Sequence, residues 1–314
     1  MIKQLIELFI FPGLVFLIAY SLYVQYIDRK LYARLQNRVG PPWFQPFADT
    51  IKLFSKETIM PRNIDKVLFQ ILPYFSFAAV VTSFLFIPVS SLSPVFSYPG
   101  DLIIVAYLLT IPTLVLALAG WVSGTTYSVI GGIRCLTQLF SYEVPFFIAL
   151  LMPAIMTGTW NIAEISQQLP GFIAANPLFL IPLFIGFVVS IISLQGKLER
   201  RPFDIPDAET EIVAGPFVEY SGRLFGIFRL AIDMELVVGA AVVAAVFLGG
   251  PHAYFGIPSF IVFLLQTLFI IIILSVIKAA TARIRIDQMI NFGWRILAPL
   301  SLTGLILLII LLNL

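Results

Sequence analysis

The chain has 314 residues, of which 60% are hydrophobic and only 11% are charged, and its formal net charge at pH 7 is +2. Soluble globular proteins contain about 45–50% apolar and about 25% charged residues, so this composition excludes a soluble domain and predicts a polytopic membrane protein. The lipid bilayer is the expected surrounding, and no nucleic acid is expected as a partner.

Eight apolar stretches are long enough to cross a hydrocarbon core of roughly 30 Å, which takes about 20 helical residues. A transmembrane barrel would alternate apolar and polar residues, and these stretches do not. The predicted fold is an all-α polytopic membrane protein with about eight transmembrane helices, forming a single membrane domain over 1–314. The predicted spans are 5–27, 67–89, 101–122, 136–158, 177–195, 224–249, 257–278 and 291–312.

Among the connections between the predicted spans, only alternate ones carry lysine or arginine. The odd-numbered connections carry basic residues, eight of them within 28–66, whereas the second, fourth and sixth carry none. Short cytoplasmic connections of membrane proteins are enriched in these residues. The odd-numbered connections are therefore predicted to be cytoplasmic, and both termini to lie outside a plasma membrane.

The first connection contains the segment PFADTIKLFSKET at 46–58. Helical spacing places its apolar residues Phe47, Ile51 and Phe54 on one stripe and its charged residues elsewhere. An amphipathic helix lying in the membrane interface is predicted here. A second amphipathic cytoplasmic segment is expected between the fifth and sixth spans.

The fourth predicted span contains an acid, Glu143, followed two residues later by Pro145. Ionisable side chains near the bilayer centre cost at least about 2.5–3.5 kcal/mol and usually face a bundle interior or a hydrated cavity. Glu143 best fits a buried carboxyl group without a fixed cation, which can take up and release protons near physiological pH. The alternative is a permanently neutral acid that is hydrogen-bonded to a neighbouring helix.

The fifth connection, 196–223, gathers acids and bases in one polar segment. Phe203, Ile205 and Phe217 interleave with them, which predicts a folded, partly buried plug, whereas full exposure to water would make it an ordinary solvated loop. A helix beginning at ETEIVAGPF would place Asp207 and Glu211 on one face. Rows of such acids can relay protons through hydrogen-bonded water. The candidate relay acids are Asp204, Asp207, Glu209, Glu211 and Glu219.

The sixth predicted span carries three charged residues, Arg229, Asp233 and Glu235. Arg229 and Asp233 lie four residues apart, so a helix places them on one face where they can form an ion pair. Glu235 lies about 200° around the helix from Asp233. It therefore needs another partner, a water channel or a proton.

Cys135 is the single cysteine and His252 the single histidine. Iron–sulfur clusters need several thiolates and membrane haems usually need paired axial ligands, so no such cofactor and no metal site is expected in this chain. Cys135 is expected to be a small apolar packing residue. Any electron chemistry must belong to partner subunits.

Four stretches in order resemble one family. They are similar to the complex I membrane subunit that joins the hydrophilic redox arm to the antiporter-like arm, the respiratory-chain NADH dehydrogenase subunit 1 family. Energy-converting membrane-bound hydrogenases and ferredoxin-linked sulfane reductases share this subunit. The stretches are DRKLYARLQNRVGPPWFQPFADTIKLFSKE at 28–57, AGWVSGTTYSVIGGIRCLTQLFSYEVP at 119–145, RRPFDIPDAETEIVAGPFVEYSG at 200–222 and RIRIDQMINFGWRILAPLSL at 283–302.

The resemblance implies a non-catalytic anchor and coupling subunit of a redox-driven ion pump. Its implied partners are an iron–sulfur subunit, a nickel–iron-hydrogenase-like catalytic subunit and antiporter-like membrane subunits, and the iron–sulfur and nickel–iron centres would belong to those partners. The implied proton path contains Glu143, Asp204, Asp207, Glu209, Glu211 and Glu219. The basic positions that match the family are Arg29, Arg34, Arg38, Arg134 and Arg201.

Two departures from the family pattern bear on function. The turn GPPWFQPFAD at 40–49 is shorter than in quinone-reducing members, which resembles the hydrogenase branch and weakens the case for a quinone tunnel. The sixth span reads RLAIDME where many complex I members have FLAEY. The identity of the sixth-span proton carrier is therefore open, as are the terminal acceptor (proton, sulfur or polysulfide, or quinone) and the pumped ion (proton or sodium).

Three other functions are compatible with parts of the sequence. The first is a quinone-site subunit of a complex I-type oxidoreductase. The second is an intramembrane prenyltransferase, for which DIPDAE at 204–209 has a passable magnesium-binding spacing but lacks the second cluster that such enzymes need. The third is a stand-alone secondary transporter, which broken helices in two related halves would favour.

Overall fold

The computed structural model describes residues 2–62, 64–90, 93–252 and 257–313, and the side chains of all of these except 2–4 and 209. The predicted connections at 90–100 and 250–256 therefore lie partly outside the described residues. Throughout the described ranges the regular elements are helical. The α-helices are α1 Ile2–Phe9, α2 Leu14–Leu35, α3 Gln45–Ser55, α4 Lys66–Phe84, α5 Asp101–Leu108, α6 Ile111–Val122, α7 Thr126–Thr157, α8 Ile162–Ala175, α9 Leu180–Lys197, α10 Glu209–Ile212, α11 Gly222–Phe247, α12 Ser259–Ala280, α13 Ile286–Phe292 and α14 Ala298–Leu312.

Eight helical segments of the described chain are long and apolar enough to cross a membrane, which confirms the predicted fold class. Several ends differ from the prediction, because hydropathy locates the lipid-facing part of a helix while packing and capping set its ends. The fourth span begins at Thr126 and not at 136, since Gly131 and Gly132 pack inside the protein. The segments are Leu5–Leu35, Lys66–Phe84, Asp101–Val122, Thr126–Thr157, Pro177–Lys197, Gly222–Phe247, Ser259–Ala280 and Ile286–Leu312.

Helix α11 lies at the centre of the bundle, and nearly all of its residues are buried. It packs against α2, α4, α8, α9 and α12. Small residues permit this close approach, as is usual where helices meet in membranes. A Cβ atom added at Gly239, for example, would lie 2.5 Å from Cδ1 of Leu194 on α9. The charged residues of the sixth predicted span are therefore held in the middle of the protein.

The connection between α9 and α11 is folded, as its interleaved apolar residues predict. Phe203 and Ile205 pack against Tyr142 of α7, and Tyr220 stacks on Phe69 of α4 with ring centroids 4.0 Å apart. We call residues 198–221 the plug. It fixes a polar segment against the apolar ends of several helices.

The helix expected from ETEIVAGPF is only one turn long, α10 Glu209–Ile212, followed by a 3-10 turn at Gly215–Phe217. The chain reverses at Gly215, whose φ is +49° and whose Cβ, if present, would lie 1.9 Å from the Pro206 carbonyl oxygen. The helix itself ends at Ile212, because the next residue, Val213, has a non-helical φ of +65°. Asp207 precedes the helical turn, so the expected shared face with Glu211 does not form.

The amphipathic helix expected in the first connection is α3, which packs against α2 and α11. Asp49 of α3 accepts hydrogen bonds from Arg29 at 2.7 Å and from Gln45 at 2.9 Å. Burial opposes the charged form of Asp49, but these bonds outweigh burial and lower its pKa. The ion pair ties α3 to the end of the first span.

We expect Asp49→Asn to destabilise the protein by about 0.5–1 kcal/mol, because the pair is partly exposed and screened by solvent. Since the pKa of Asp49 is lowered on folding, its contribution is present at neutral pH and is lost as pH falls below the ordinary aspartate range. Thermal unfolding in detergent from neutral to acidic pH measures this. Glu57→Gln, an exposed acid of the same connection, is the control, and a penalty for Asp49→Asn that grows on acidification would contradict the expectation.

Candidate functional site

A cavity of about 240 Å³ lies between α2, α6, α11, α12, the end of α9 and the plug. In the described part of the chain its wall contains equal numbers of acids and bases, which is unusual for a membrane protein with so few charges. The acids are Asp28, Glu199, Asp204, Asp207, Asp233 and Glu235. The bases are Arg29, Lys197, Arg200, Arg201, Arg229 and Lys278.

Asp28 of α2 joins three parts of the molecule at this cavity. Its side chain is 5% exposed and forms ion pairs with Arg200 of the plug and with Lys278 of α12, the latter at 3.2 Å. Ser275 of α12 donates a further hydrogen bond at 2.5 Å. One anion thus holds two cations from separate elements. Sequence reasoning missed this cluster, because Asp28 looks like the polar end of the first span.

Asp233 is half-buried on α11 and faces the cavity. Nε2 of Gln25 on α2 donates to its Oδ1 over 2.7 Å. Arg229 interacts with Asp233 electrostatically, but among the described residues the direct hydrogen-bond donor to Asp233 comes from α2 and not from its own helix. The ion pair expected within the sixth span is therefore not the contact that holds Asp233.

Glu235 is 4% exposed, lines the cavity, and carries an Oε1 atom with no hydrogen-bond partner in the described part of the chain. The sequence required a partner, a water channel or a proton for this acid, and the cavity beside it is large enough to hold water. An unpaired carboxyl oxygen in the interior is costly unless it is protonated or hydrated. Glu235 is therefore placed to exchange a proton with the cavity.

Glu143 is paired with a cation, which corrects the expectation that it lacks one. Lys197 Nζ lies 3.0 Å from Oε2 and 3.1 Å from Oε1 of Glu143, and Lys197 is 1% exposed. Its Nζ atom also lies 5.6 Å from the ring centre of Tyr142 and 5.3 Å from that of Phe146. The two residues are 54 positions apart, and the sequence placed Lys197 in the fifth connection, outside the predicted spans. Lys197, and not Glu143, lines the cavity.

The acids of the plug are divided between the cavity and the surface. Asp204 and Asp207 line the cavity, and Asp204 also lies 3.4 Å from Arg201 and 3.7 Å from Arg283. Glu211 lies outside the cavity, 2.6 Å from Arg134 and 3.4 Å from Arg283. The hydrogen bond from Arg134 lowers the pKa of Glu211. This acid is held charged by two arginines.

The remaining predicted positions are divided between the cavity wall and other parts of the protein. Glu219 is half-buried before α11, Arg34 is exposed at the end of α2, and Arg38 is exposed beyond it. The side chain of Glu209 lies outside the described part of the chain. Of the predicted basic residues, Arg29, Arg201 and Arg229 line the cavity. The site is therefore smaller than the predicted set.

Glu199 is a cavity acid that sequence reasoning missed. The Cys135 thiol on α7 donates a hydrogen bond to its Oε1 over 2.9 Å. Burial raises the pKa of Glu199 to about 7, the thiol hydrogen bond opposes this rise, and the nearby Asp207 adds to it. Cys135 is fully buried, as expected of a packing residue, but its thiol also has this polar role. The sequence signal that could have found Glu199 is its position four residues beyond the end of the fifth predicted span, 177–195.

This arrangement is suited to moving protons and poorly suited to holding a large apolar ligand. Pockets for such ligands usually measure about 300–1,000 Å³ and have mostly apolar walls, whereas this one is smaller and densely charged. Among the described residues no group of three or more His, Cys, Asp or Glu could hold a metal ion. The cavity wall contains several acids, and these differ in whether a fixed cation is paired with them.

Comparison with known proteins matches the "NADH dehydrogenase" family model to residues 8–309. The chain is 38% identical to the H subunit of NADH-quinone oxidoreductase from Carboxydothermus hydrogenoformans, over 93% of this chain and 85% of the relative. It is 33% identical to the corresponding protein of Brevibacillus brevis, over 91% and 86%. Among solved structures it is similar to a chain of the membrane-bound sulfane sulfur reductase, an archaeal respiratory membrane complex. That match has a TM-score of 0.82, 28% identity and 98% coverage of both chains.

Proposed function

Because the chain belongs to the NADH dehydrogenase family, together with the H subunits of NADH-quinone oxidoreductases, we propose that it couples electron transfer in a peripheral arm to ion translocation across the membrane. In this role the chain is a non-catalytic anchor of a complex I-type respiratory complex. The observation that carries the proposal is the charged cavity, which extends from the plug to Glu235 on the central helix α11.

Charge is costly to move through the low-dielectric interior of a membrane protein. Moving one charge against 100 mV takes about 2.3 kcal/mol, so a coupling subunit needs acids whose protonation responds to a driving partner. Among the described residues the Oε1 atom of Glu235 has no hydrogen-bond partner, whereas Asp28, Glu143 and Glu211 have fixed cations. Glu235 is therefore the sixth-span proton carrier in this proposal, and Asp233, held by Gln25, supports the cavity wall.

The proposed partner subunits follow from the role of the chain as a coupling subunit. An iron–sulfur subunit and a nickel–iron-hydrogenase-like catalytic subunit dock on the plug side, and antiporter-like membrane subunits pack beside the spans. The redox centres belong to those partners. Basic residues cluster in the odd-numbered connections, which supports a cytoplasmic position for the plug and an outside position for both termini.

The electron acceptor in this proposal is a sulfur species or a proton and not a membrane quinone. The structural similarity to a sulfane sulfur reductase supports this assignment, as do the short turn at 40–49 and the charged wall of the cavity. The second candidate is a quinone-site subunit, which the names of the curated relatives favour.

We expect Glu235→Gln to reduce ion translocation per electron by about tenfold or more, since a positioned acid or base typically contributes 10²–10⁴-fold to a proton transfer. The change is nearly isosteric, so the bundle should stay folded. The assay is the intact complex in sealed vesicles, with reduced ferredoxin as donor and polysulfide, protons or a short-chain ubiquinone as acceptor.

Glu164→Gln is the matched control, because Glu164 is exposed on α8 and does not line the cavity. Full translocation by the Glu235 variant would remove this acid from the path. Rapid reduction of the ubiquinone, inhibited by quinone-site competitors, would support the second candidate instead.

A further inference from the structure

Glu199 occupies a strained position at the point where α9 ends and the plug begins. Its φ is +50°, a left-handed conformation that few residues other than glycine adopt. Such strain costs of order 1–3 kcal/mol and persists where the surrounding structure enforces it, often at functional sites. Here it accompanies a side chain that lines the cavity.

We propose that Glu199 carries protons between Asp207 of the plug and Glu235 of α11, and that the Cys135 thiol positions its carboxyl group. This inference rests on the proposed function and adds to it a residue that the family resemblance did not supply. It concerns the step between the plug and the central helix.

The geometry places Glu199 between the two other acids. All three line one cavity, and Glu199 interacts electrostatically both with Asp207 and with Glu235. A proton on one of these acids therefore changes the affinity of the next. Acids coupled in this way titrate as a set, and protons pass along them through hydrogen-bonded water.

The Cys135 thiol fixes one end of the Glu199 carboxyl group. Its sulfur lies 2.9 Å from Oε1 of Glu199 and 3.4 Å from the Thr113 carbonyl oxygen. A thiol is a weak donor with a single hydrogen, so it holds Glu199 without pairing it as a cation would. Glu199 can therefore be oriented and still exchange its proton.

The groups that face Glu199 come from several elements. They are Cys135 on α7, Lys197 at the end of α9, Arg200 and Asp207 in the plug, and Glu235 on α11. With a pKa of about 7, Glu199 has both protonation states populated near neutral pH, which a carrier requires. Since the unfolded chain releases this proton near the ordinary glutamate pKa, stability should fall as pH rises through the interval up to about 7.

The test uses the S–H stretching absorption of Cys135 in the intact complex, isolated by subtracting the infrared spectrum of a Cys135→Ala variant. The chain has only this one cysteine, so the difference band reports its hydrogen bond to Glu199. We expect the band to shift with a midpoint near pH 7, as the pKa of Glu199 indicates. The shift should disappear in Glu199→Gln. A band that does not respond to pH in the unmodified complex would overturn the proposal.

Translocation measurements complete the test. Glu199→Gln should lower ion movement per electron by about tenfold or more, Glu199→Asp should recover part of it, and the exposed control Glu57→Gln should leave it unchanged. If Glu235→Gln abolishes translocation but Glu199→Gln does not, the role of Glu199 is wrong and the coupling function stands. If neither change affects translocation, the coupling function itself fails.

Discussion

Lys197→Met is expected to destabilise the folded chain by about 3–5 kcal/mol, because removing one partner of a buried ion pair leaves the other charge uncompensated. Lys197 is 1% exposed and Glu143 is 8% exposed, so bulk solvent compensates the carboxylate poorly when the ammonium group is removed. Thermal unfolding of the detergent-solubilised complex, together with the amount of this subunit assembled in the membrane, measures the effect.

The double variant Lys197→Met with Glu143→Gln is the matched control. It removes both charges and keeps similar side-chain volumes, and replacing a whole buried pair by neutral residues is often close to neutral for stability. We therefore expect it to recover most of the lost stability. If the double variant were as unstable as Lys197→Met alone, the loss would come from packing against Tyr142 and Phe146 and not from the charge on Glu143.

The double variant also tests the position of Glu143 in the path. Lys197 lines the cavity, pairs with Glu143 and interacts electrostatically with Glu235, so removing its charge alters the field at the proposed carrier. We expect a stable double variant to transfer electrons but to move few ions. Normal ion movement would show that the pair is purely structural.

Asp28→Asn is also expected to have a large effect and to lower the free energy of unfolding by about 3 kcal/mol or more. The neutral amide would leave the two cations, Arg200 and Lys278, facing each other near the membrane. Arg200 would lose its anchor, and Arg200 Nη1 already has no hydrogen-bond partner in the described part of the chain. The plug should therefore open. Hydrogen exchange of 198–208 and thermal unfolding measure the two consequences.

Asp287→Asn provides the comparison for Asp28→Asn, since Asp287 is exposed at the start of α13. Adding Lys278→Met to Asp28→Asn should recover part of the stability, because one of the two unpaired cations is removed. Unchanged exchange of the plug in Asp28→Asn would show that Asp28 does not hold it.

Several features could be predicted because they depend on local sequence. The eight membrane segments follow from the length and apolarity of each stretch, and α3 follows from a helical stripe on Phe47, Ile51 and Phe54. The plug was expected to fold because Phe203, Ile205 and Phe217 interrupt its charges. Segment ends were less accurate, since polar residues such as Thr126 continue a helix wherever the protein interior accepts them.

For the acids of the site, local sequence predicts the direction of a side chain but not its partner. Helical geometry indicates that Glu235 points away from Asp233 and needs another partner, water or a proton, and in the described part of the chain its Oε1 atom has no hydrogen-bond partner. Glu143 was expected to lack a cation, and the structure gives it Lys197 from 54 positions away. Helical period says which face a residue occupies, but not what packs against that face.

The class of protein, the number of membrane segments and the presence of acids that must be compensated follow from the sequence alone, because hydrophobicity and helical period act over a few residues. Which of these acids meet a cation, and which do not, depends on the tertiary structure. Glu143 meets Lys197, Asp28 meets Lys278 across 250 positions, and Glu199 meets a thiol 64 positions away. These pairings follow from how the helices pack, since in a low-dielectric interior each charge is stabilised by whatever group the fold brings beside it.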